Sequence, residues 1–367
     1  MQTEIAIAGA GLAAAVLALR LSAAPGAPRI ALHDPQPFAG RTWSFHEHDV
    51  TEEDRRWLSP AIAHRWSGQD VRFPGLHRTM RAGYATITPE SLAAALPPNV
   101  TIRPGRIADP ATLDARCVID ARGAAPHPAL RIAFQKFLGQ EVRLHGPHGL
   151  TRPVIMDAEV AQLEGFRFVY VLPLSPTTLL IEDTRYSDTP EVDAAAFRSA
   201  ISAYAAAQGW RIADVLREES AALPLGLAFD AEAFWADAAL PRIGMAAAQF
   251  HPVTGYTLPD AVRTANLVAA HWTEGTTALA RHLRRDALRR ARGQRFYRLL
   301  SRMLFEAATP DARWRVLRRF YGLPEPLIER FYAGRTTTAD MARILVGRPP
   351  VPLGRALRSL PERMNHV

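Results

Sequence analysis

The sequence predicts an α/β protein in which a parallel, doubly wound sheet is interleaved with a β-rich part and followed by a helical C-terminal region. Three observations lead to this fold class. Residues 1–34 show an apolar strand, a glycine turn, an Ala/Leu/Val helix pattern and a second apolar strand. An apolar strand that ends in glycine spans 117–123, and helical periodicity dominates 257–343. Apolar strands that alternate with helices are typical of a parallel sheet.

The first strand runs directly into a Gly-x-Gly-x-x-Ala motif. Gly9 permits the tight turn, Gly11 lets a phosphate approach the backbone, and Ala14 lets the helix pack on the strand. The helix N-terminus after this turn offers backbone N–H groups to a pyrophosphate. Asp34 ends the second strand 23 residues after Gly11, a spacing that suits a hydrogen bond to an adenosine ribose hydroxyl. The segment therefore predicts a Rossmann-like dinucleotide site.

Two later segments indicate that the dinucleotide is FAD. Asp120 and Gly123 end a third sheet strand, at the point where it returns to the nucleotide. Gly244 opens a Gly-x-Ala-Ala segment, which leads on to Pro252 and Gly255. A nicotinamide dehydrogenase keeps its nucleotide site in one contiguous unit, whereas FAD is long enough to need all three segments. We expect the last segment near the isoalloxazine ring, where a following helix offers N–H groups to polar flavin atoms.

Because these elements are scattered along the chain, we expect interleaved domains. The predicted FAD-binding domain is discontinuous and comprises residues 1–65, 100–125 and 235–275. The predicted β-rich substrate domain comprises residues 66–99 and 126–234, and the helical C-terminal region comprises 276–367. Within the β-rich part, strand patterns at 166–172 and 178–184 flank a turn-rich link and predict a hairpin. The pattern over 191–217 predicts a helix.

Composition sets limits on function. Cys117 is the only cysteine of 367 residues, which excludes an internal disulfide and any cysteine-rich metal site and fits a reducing compartment. Histidines and acids show no metal-ligand spacing along the chain, so we expect no metal. No apolar run reaches the roughly 20 residues that cross a bilayer. The acidic lead-in and the interrupting glycines also argue against a signal peptide.

Positive charge is concentrated between Arg281 and Arg302, in a chain whose net charge is +8. Leucines recur at helical spacing within this segment. Two interpretations stay open: a basic amphipathic helix that lies on an anionic membrane surface, or the solvated face of an ordinary packed helix. We expect no nucleic-acid partner, because no recognition module accompanies the charge.

Several segments together strongly resemble the bacterial lycopene β-cyclases, flavoproteins of the group that includes geranylgeranyl reductases and aromatic hydroxylases. The resemblance spans nearly the whole chain and lies in Ala8–Ala13, Thr42–His46, Leu180–Thr184, His251–Pro259, Arg330–Gly334 and the tail from Phe320 to Pro352. The glycine motif is common to many flavoproteins, whereas Thr-Trp-Ser-Phe-His, Ile-Glu-Asp-Thr and Phe-Tyr-Ala-Gly are much more specific. The chain departs from the family before Thr42, where its loop is shorter, and at Ala246, where we expect a basic residue.

The resemblance implies that the protein converts the linear ψ ends of lycopene into β-ionone rings, giving β-carotene by way of γ-carotene. A proton adds to C2, the chain closes between C1 and C6, and a proton leaves C6. This isomerisation needs an acid, a base, a dry pocket and fixed negative charge near the cation. The resemblance also implies FAD in its reduced form, with NAD(P)H only as the electron donor. Because lycopene lives in the bilayer, we expect a peripheral protein on the cytoplasmic face of the membrane.

The resemblance singles out Glu182 and Asp183 as the candidate catalytic pair. Neighbouring residues of a strand point to opposite faces. We therefore expect Glu182 to face the polyene as the acid/base residue, with a pKa raised by burial, and Asp183 to pair with a backbone or arginine partner. By spacing alone, an ordinary Glu-Asp pair at a sheet edge is the simpler interpretation.

Aromatic residues and histidines complete the expected site. Aromatic faces stabilise cations, and the candidates for the tunnel lining are Trp43, Phe45, Tyr170, Tyr186 and Tyr256. His46 and His251 are candidate proton carriers, although such histidines are more often structural. Two other functions stay open at this point. One is a redox flavoprotein, a monooxygenase or prenyl reductase acting on a lipophilic isoprenoid, and the other is a non-catalytic carotenoid or flavin carrier.

Overall fold

The computed structural model describes residues 3–39, 41–347 and 351–364. Parts of the predicted FAD-binding domain (1–2 and 40) and of the predicted C-terminal region (348–350 and 365–367) lie outside the described residues. The strands of the described ranges are β1 Ile5–Ala8, β2 Ile30–Asp34, β3 Trp43–His46, β4 His64–Trp66, β5 Gln69–Phe73, β6 Leu76–Met80, β7 Tyr84–Ile87, β8 Val100–Pro104, β9 Cys117–Asp120, β10 Leu130–Leu144, β11 Val154–Asp157, β12 Phe166–Ser175, β13 Thr178–Ser187 and β14 Ile212–Phe229.

Helices alternate with the early strands and dominate the C-terminal third of the chain. The α-helices of the described ranges are α1 Leu12–Ser22, α2 Glu52–Leu58, α3 Pro89–Ala94, α4 Ala194–Ala207, α5 Ala231–Phe234, α6 Leu258–His271, α7 Thr276–Gly293, α8 Arg295–Arg302, α9 Arg313–Tyr321, α10 Glu325–Tyr332, α11 Thr338–Leu345 and α12 Leu353–Arg358. A π-helical turn, Met303–Ala307, follows α8.

A parallel sheet of order β8-β2-β1-β9 forms the N-terminal part of the molecule. The β-α-β start predicted for residues 1–34 is confirmed, and the fold class is confirmed with it. Helices α1 and α6 contribute buried apolar side chains to the core beside this sheet. An isolated parallel bridge between Asp120 and Arg242 brings the later chain to the edge of β9. The scattered segments therefore meet at one place.

A second sheet of order β14-β10-β13-β12-β11-β5-β6 forms the β-rich part. The predicted hairpin is confirmed, because β12 and β13 pair antiparallel over ten residues each. Buried side chains of α4 pack on one face of this sheet. The other face contributes to a core shared with α8, α9 and α10. A small third sheet, β3-β7-β4, lies beside these two.

The prediction of helix through residue 217 is wrong. Helix α4 ends at Ala207, Gly209 follows with φ of +75°, and β14 begins at Ile212. A glycine in the left-handed region is a common helix terminator. Arg, Glu, Leu and Ala then suit a helix by propensity, but β14 pairs along the whole of β10, and this long-range pairing decides the structure.

The basic segment 281–302 lies in α7 and α8. Its side chains Leu283, Ala291 and Tyr297 are buried, and the arginines of α7 lie largely on the outer face, whereas Arg298 and Arg302 of α8 are buried. In the described part of the chain, no helix combines the length and apolar character needed to span a membrane.

Candidate active site

A cavity of about 240 Å³ lies where the glycine loop of the parallel sheet meets the large sheet. The loops around Gly11, Gly244 and Gly255 line the cavity. Glu182 of β13 and Glu219 of β14 line it as well. The topology thus brings glycine loops suited to a bound group and two carboxyls to one cavity.

The glycine loop is shaped by two different constraints. Gly9 has φ of +108°, and an added Cβ would lie 2.3 Å from the carbonyl oxygen of Ala121, so a side chain has no room there. A Cβ on Gly11 would meet no heavy atom within 4 Å and would project into open space. A Cβ on Gly244 would lie 2.7 Å from Cβ of Ala13, which shows how closely the later segment packs on the start of α1. The space left by Gly11 is a cradle that a phosphate group would fill.

A larger groove of about 1360 Å³ continues from this cavity, since Gly123 and Met245 line both. Asp34 lines the groove, and its two carboxylate oxygens accept hydrogen bonds from the backbone N–H groups of Ala10 and Gln36, each at 2.8 Å. A carboxylate has about four acceptor sites, so Asp34 retains capacity for a hydroxyl. Groove and cavity together fit an elongated dinucleotide such as FAD.

The predicted cofactor-binding residues fall into three groups. The inner cavity is lined by Gly11, Gly123, Gly244 and Gly255. The groove is lined by Gly9, Asp34, Asp120 and Gly123, and Asp120 is paired there with Arg122 at 2.9 Å. Ala14 and Pro252 line neither space: Ala14 is buried inside α1, and Pro252 packs behind the cavity against Gly226.

Glu182 lies on β13 with its carboxyl in the cavity. One carboxyl oxygen accepts a hydrogen bond from Thr184 Oγ1 at 2.7 Å. Burial raises the pKa of Glu182 to about 8, and the nearby charge of Glu219 acts in the same direction. The carboxyl is therefore mostly protonated at neutral pH, and the group can donate a proton.

Asp183 points to the opposite face of β13 and does not line the cavity. It is fully buried between two guanidinium groups, with Arg167 Nε at 2.6 Å and Arg185 Nε at 3.0 Å. This geometry leaves Asp183 no contact with a group bound in the cavity. Of the predicted catalytic pair, the structure brings Glu182 to the site and places Asp183 behind it as a brace between β12 and β13.

Tyrosine side chains form much of the cavity lining. Tyr84 Oη lies 3.0 Å from Tyr170 Oη and 2.9 Å from Tyr256 Oη, and Tyr170 donates to Ser44 Oγ at 2.7 Å. Tyr332 also lines the cavity. Burial raises the pKa of Tyr84, Tyr170, Tyr256 and Tyr332 above the ordinary value, so all four stay neutral. The hydroxyls of Tyr84, Tyr170 and Tyr256 are paired with one another, so the rings of these residues form an apolar part of the cavity lining.

Most of the predicted aromatic lining is present. Trp43, Tyr170, Tyr186 and Tyr256 line the cavity, whereas Phe45 lies in the core beside the parallel sheet. Burial lowers the pKa of both His46 and His251 to about 3, so both are neutral at physiological pH. His251 is held by the carbonyl of Phe331 at 3.1 Å, and neither histidine lines the cavity. The structure favours a structural role for both.

Two further charged residues of the cavity, Glu219 and Arg41, were not predicted from the sequence. Glu219 was overlooked because the region before it was predicted to be helical, although an alternation through Ala221 and Leu223 to a proline was a signal of a strand. Its Oε2 accepts from the N–H of Thr42 at 3.0 Å and from Arg217 at 2.5 Å. Arg41 lies in the loop beside Thr42 and lines the same cavity. Burial lowers the pKa of Arg41, and the charges of Glu219 and Glu182 oppose that shift.

The turn between α6 and α7 gathers three possible metal ligands that are not evident from their spacing along the chain. Ligand atoms of His271, Glu274 and His282 lie within 4.8 Å of one another. His271 Nδ1 lies 2.7 Å from one carboxylate oxygen of Glu274, and His282 Nε2 lies 3.1 Å from the other. Both imidazoles are thus satisfied by the carboxylate, and we assign no metal to this exposed cluster.

Comparison with known proteins relates this architecture to one family. A family model described as lycopene cyclase protein matches residues 4–102 and 97–358. The lycopene β-cyclase of Pseudescherichia vulneris is 46% identical over 379 residues, which cover 99% of this chain and 97% of that protein. The lycopene β-cyclase of Pantoea ananas is 45% identical over 372 residues, with 97% of each chain covered.

Solved structures share the fold at low sequence identity. A p-nitrophenol 4-monooxygenase from Pseudomonas putida superposes with a TM-score of 0.58 at 14% identity, covering 92% of this chain and 99% of that chain. A geranylgeranyl bacteriochlorophyll reductase-like protein from Thermoplasma acidophilum gives 0.52 at 11% identity, covering 97% and 98%. These likenesses show that the chain shares the fold of these two proteins.

Proposed function

The chain belongs to the lycopene cyclase family, and from this premise we propose that it closes the linear ends of lycopene into β-ionone rings, giving β-carotene by way of γ-carotene. The observation that carries the proposal is a buried carboxyl, Glu182, whose pKa is raised by burial and which lies in a cavity lined by several aromatic side chains. Protonation of an alkene needs an acid that is held away from water. Glu182 is such an acid, because its carboxyl is buried in the cavity. Trp43, Tyr170 and Tyr256 present ring faces that stabilise a tertiary cation.

We propose that FAD binds in the groove and the inner cavity. The backbone at Gly9 and Gly11 and the N-terminus of α1 would hold the pyrophosphate, and Asp34 would hold the adenosine ribose. When bound in the reduced form, FAD supplies a planar negative charge beside the cation, and NAD(P)H serves only to keep it reduced. In this scheme the chain's own residues carry the protons.

We propose that the protein meets its substrate at the cytoplasmic face of the membrane through α12. Leu353 and Leu357 of α12 are spaced i, i+4 and are 66 and 65% exposed, and Leu360, two residues beyond the helix, is 51% exposed. Ala356 on the helix and Ser359 at its C-cap are buried. A short helix that is packed on one side and apolar on the other suits a lipid surface.

Charge and anchoring support this surface. Arg355 and Arg358 are exposed on α12 among the leucines and would face anionic headgroups. Arg302, itself buried, donates to the carbonyls of Ser359 at 2.8 Å and of Leu227 at 2.7 Å, which ties the stripe to β14. The leucine stripe is therefore fixed to the sheet that carries the active-site carboxyls.

An anaerobic assay tests the proposed activity. Wild-type protein and Glu182→Gln are incubated with chemically reduced FAD and lycopene in liposomes, and carotenoids are separated by HPLC. We expect cyclic product from the wild type, a loss of about 10²–10⁴-fold in the variant, and flavin that is still reduced at the end. Glu218→Gln is the matched control, because Glu218 points away from the cavity to Arg198 and Gln140.

The redox alternative makes a different prediction when the assay is run in air with NAD(P)H in place of the chemical reductant. A monooxygenase or reductase consumes NAD(P)H in proportion to its product, whereas a cyclase forms product well in excess of NAD(P)H oxidised. Equal amounts of product and oxidised NAD(P)H would contradict the proposed function. The absence of product from folded wild-type protein with FAD bound would contradict it as well.

A further inference from the structure

Three residues on adjacent strands form one row across the large sheet. Gly139 on β10 is the register partner of Glu182 on β13 and of Glu219 on β14. Residues in direct register on neighbouring strands point to the same face. The two glutamates therefore project side by side into the cavity from backbones two strand spacings apart, about 10 Å.

The residue between them has no side chain. A Cβ on Gly139 would lie 3.4 Å from Glu182 Cβ and 3.4 Å from Glu219 Cγ. The glycine leaves no side chain between the two glutamates, and Leu180 Cδ1 also lies 3.4 Å from the position of such a Cβ, so the space between them is narrow. Ring atoms C2 and C6 are both bonded to C1, so an acid and a base on one face of the sheet can serve the same ring.

The environments of the two carboxyls differ. Glu182 accepts one hydrogen bond from a neutral hydroxyl, that of Thr184. Glu219 Oε2 accepts three bonds, from the N–H and hydroxyl of Thr42 and from the guanidinium of Arg217. Among the described residues, Glu219 Oε1 has no hydrogen-bond partner. Burial raises the pKa of Glu219, and the guanidinium of Arg217 and the two donors of Thr42 oppose that shift by favouring the carboxylate. Glu182 lacks such a donor set, so of the two groups Glu219 is the better equipped to accept a proton and Glu182 to donate one.

We propose that Glu219 is the base that removes the C6 proton, opposite Glu182 as the acid. This inference rests on the proposed cyclase function. Glu182 gives its proton to C2 and becomes a carboxylate, C1 bonds to C6, and Glu219 takes the C6 proton to leave a C5–C6 double bond. The substrate is isomerised with no change in protons or electrons. Transfer of the proton from Glu219 back to Glu182, across the space above Gly139, restores both groups for the next ring.

The test is a reaction in D₂O with reduced FAD, comparing wild type, Glu219→Gln and Glu218→Gln. In the Glu219→Gln variant the acid is intact but the cation cannot lose its C6 proton. We expect ring formation to fall by about 10²–10⁴-fold. Glu182 still adds deuterium to C2, and because this step reverses, recovered lycopene should carry deuterium at C2. The cation can still lose a proton from a carbon other than C6. We therefore expect a larger share of rings whose double bond does not lie between C5 and C6. Glu218→Gln should behave as wild type.

Several results would overturn this role for Glu219. One is Glu219→Gln forming β-rings at the wild-type rate. Another is loss of both ring formation and deuterium exchange in folded, FAD-binding Glu219→Gln, because Glu219 then supports the acid and is not the base. If that variant does not fold, Glu219→Asp takes its place with the same expected pattern. A wild-type protein that forms no ring would contradict the proposed function instead.

Discussion

At the scale of single residues, the pKa of Glu182 sets the expected pH range of the enzyme. Burial raises this pKa to about 8, the charges of Glu219 and Asp183 add to the effect, and Thr184 and Arg41 oppose it. The donating form is the protonated carboxyl, which is fully populated below this pKa and lost as pH rises through it. We expect the rate of ring formation to show an alkaline limb near pH 8, measured as initial rates between pH 6 and 10 with FAD kept reduced. A rate that is flat to pH 10 would contradict Glu182 as the donor.

Asp183 is expected to matter for stability more than for chemistry. Replacing it with Asn removes the carboxylate that Arg167 and Arg185, both nearly fully buried, share, and leaves Arg185 only its longer pair with Glu164 at 3.4 Å. Breaking a buried ion pair typically costs about 3–5 kcal/mol. The midpoint of urea unfolding should fall accordingly for Asp183→Asn. Asp214→Asn is the control, since its pair with Arg143 is exposed and such pairs are worth about 1 kcal/mol or less.

If Asp183→Asn is as stable as the wild type yet inactive, Asp183 takes part in the chemistry and the brace interpretation is wrong.

The opposite faces of Glu182 and Asp183 follow from strand alternation alone, so this much was predictable from sequence. That two arginines, on β12 and β13, converge on Asp183 depends on pairing between strands. Local spacing does not contain that information.

At the scale of elements, the glycine loop predicts two distinct outcomes for two substitutions. Gly11→Val should fold, because a Cβ there meets no atom within 4 Å, but the side chain would occupy the cradle and abolish FAD binding. Gly9→Ala should destabilise the fold itself, since its φ is +108° and the added Cβ would collide with the backbone of Ala121. Flavin fluorescence and thermal unfolding of the two purified variants separate these effects. Retention of FAD by Gly11→Val would place the pyrophosphate elsewhere.

Helix α12 makes a prediction about membrane binding. Leu353→Ser combined with Leu357→Ser should reduce flotation with vesicles that contain phosphatidylglycerol by at least about 10-fold, because each buried leucine contributes roughly 1.5–3 kcal/mol. Arg281→Gln with Arg285→Gln on the exposed face of α7 is the control and should have a small effect. If the α7 substitutions reduce flotation more than the α12 substitutions do, the membrane contact lies on α7. A change in molar mass by light scattering would show instead that the leucines are covered by a second copy of the chain.

At the scale of the whole molecule, the sequence was most informative where structure is local. The glycine motif, the β-α-β start and the β12–β13 hairpin each depend on residues close together in the chain, and each was predicted. Strand β14 was not, because its helix-favouring residues are overruled by β10, which lies about 80 residues earlier. Glu219 belongs to that strand, so half of the carboxyl pair depends on a pairing that no local pattern reveals.

The neighbouring acids on β13 also have a consequence for folding fidelity. A slip of one residue in the hairpin would turn every side chain of β13 to the opposite face. Asp183 and Arg185 would then both face the aromatic rings, and Arg167, which lies on β12, would lose its carboxylate partner Asp183. Only the native alignment places Asp183 between both guanidinium groups. A single dipeptide therefore both supplies the proton donor and favours the native alignment of the hairpin.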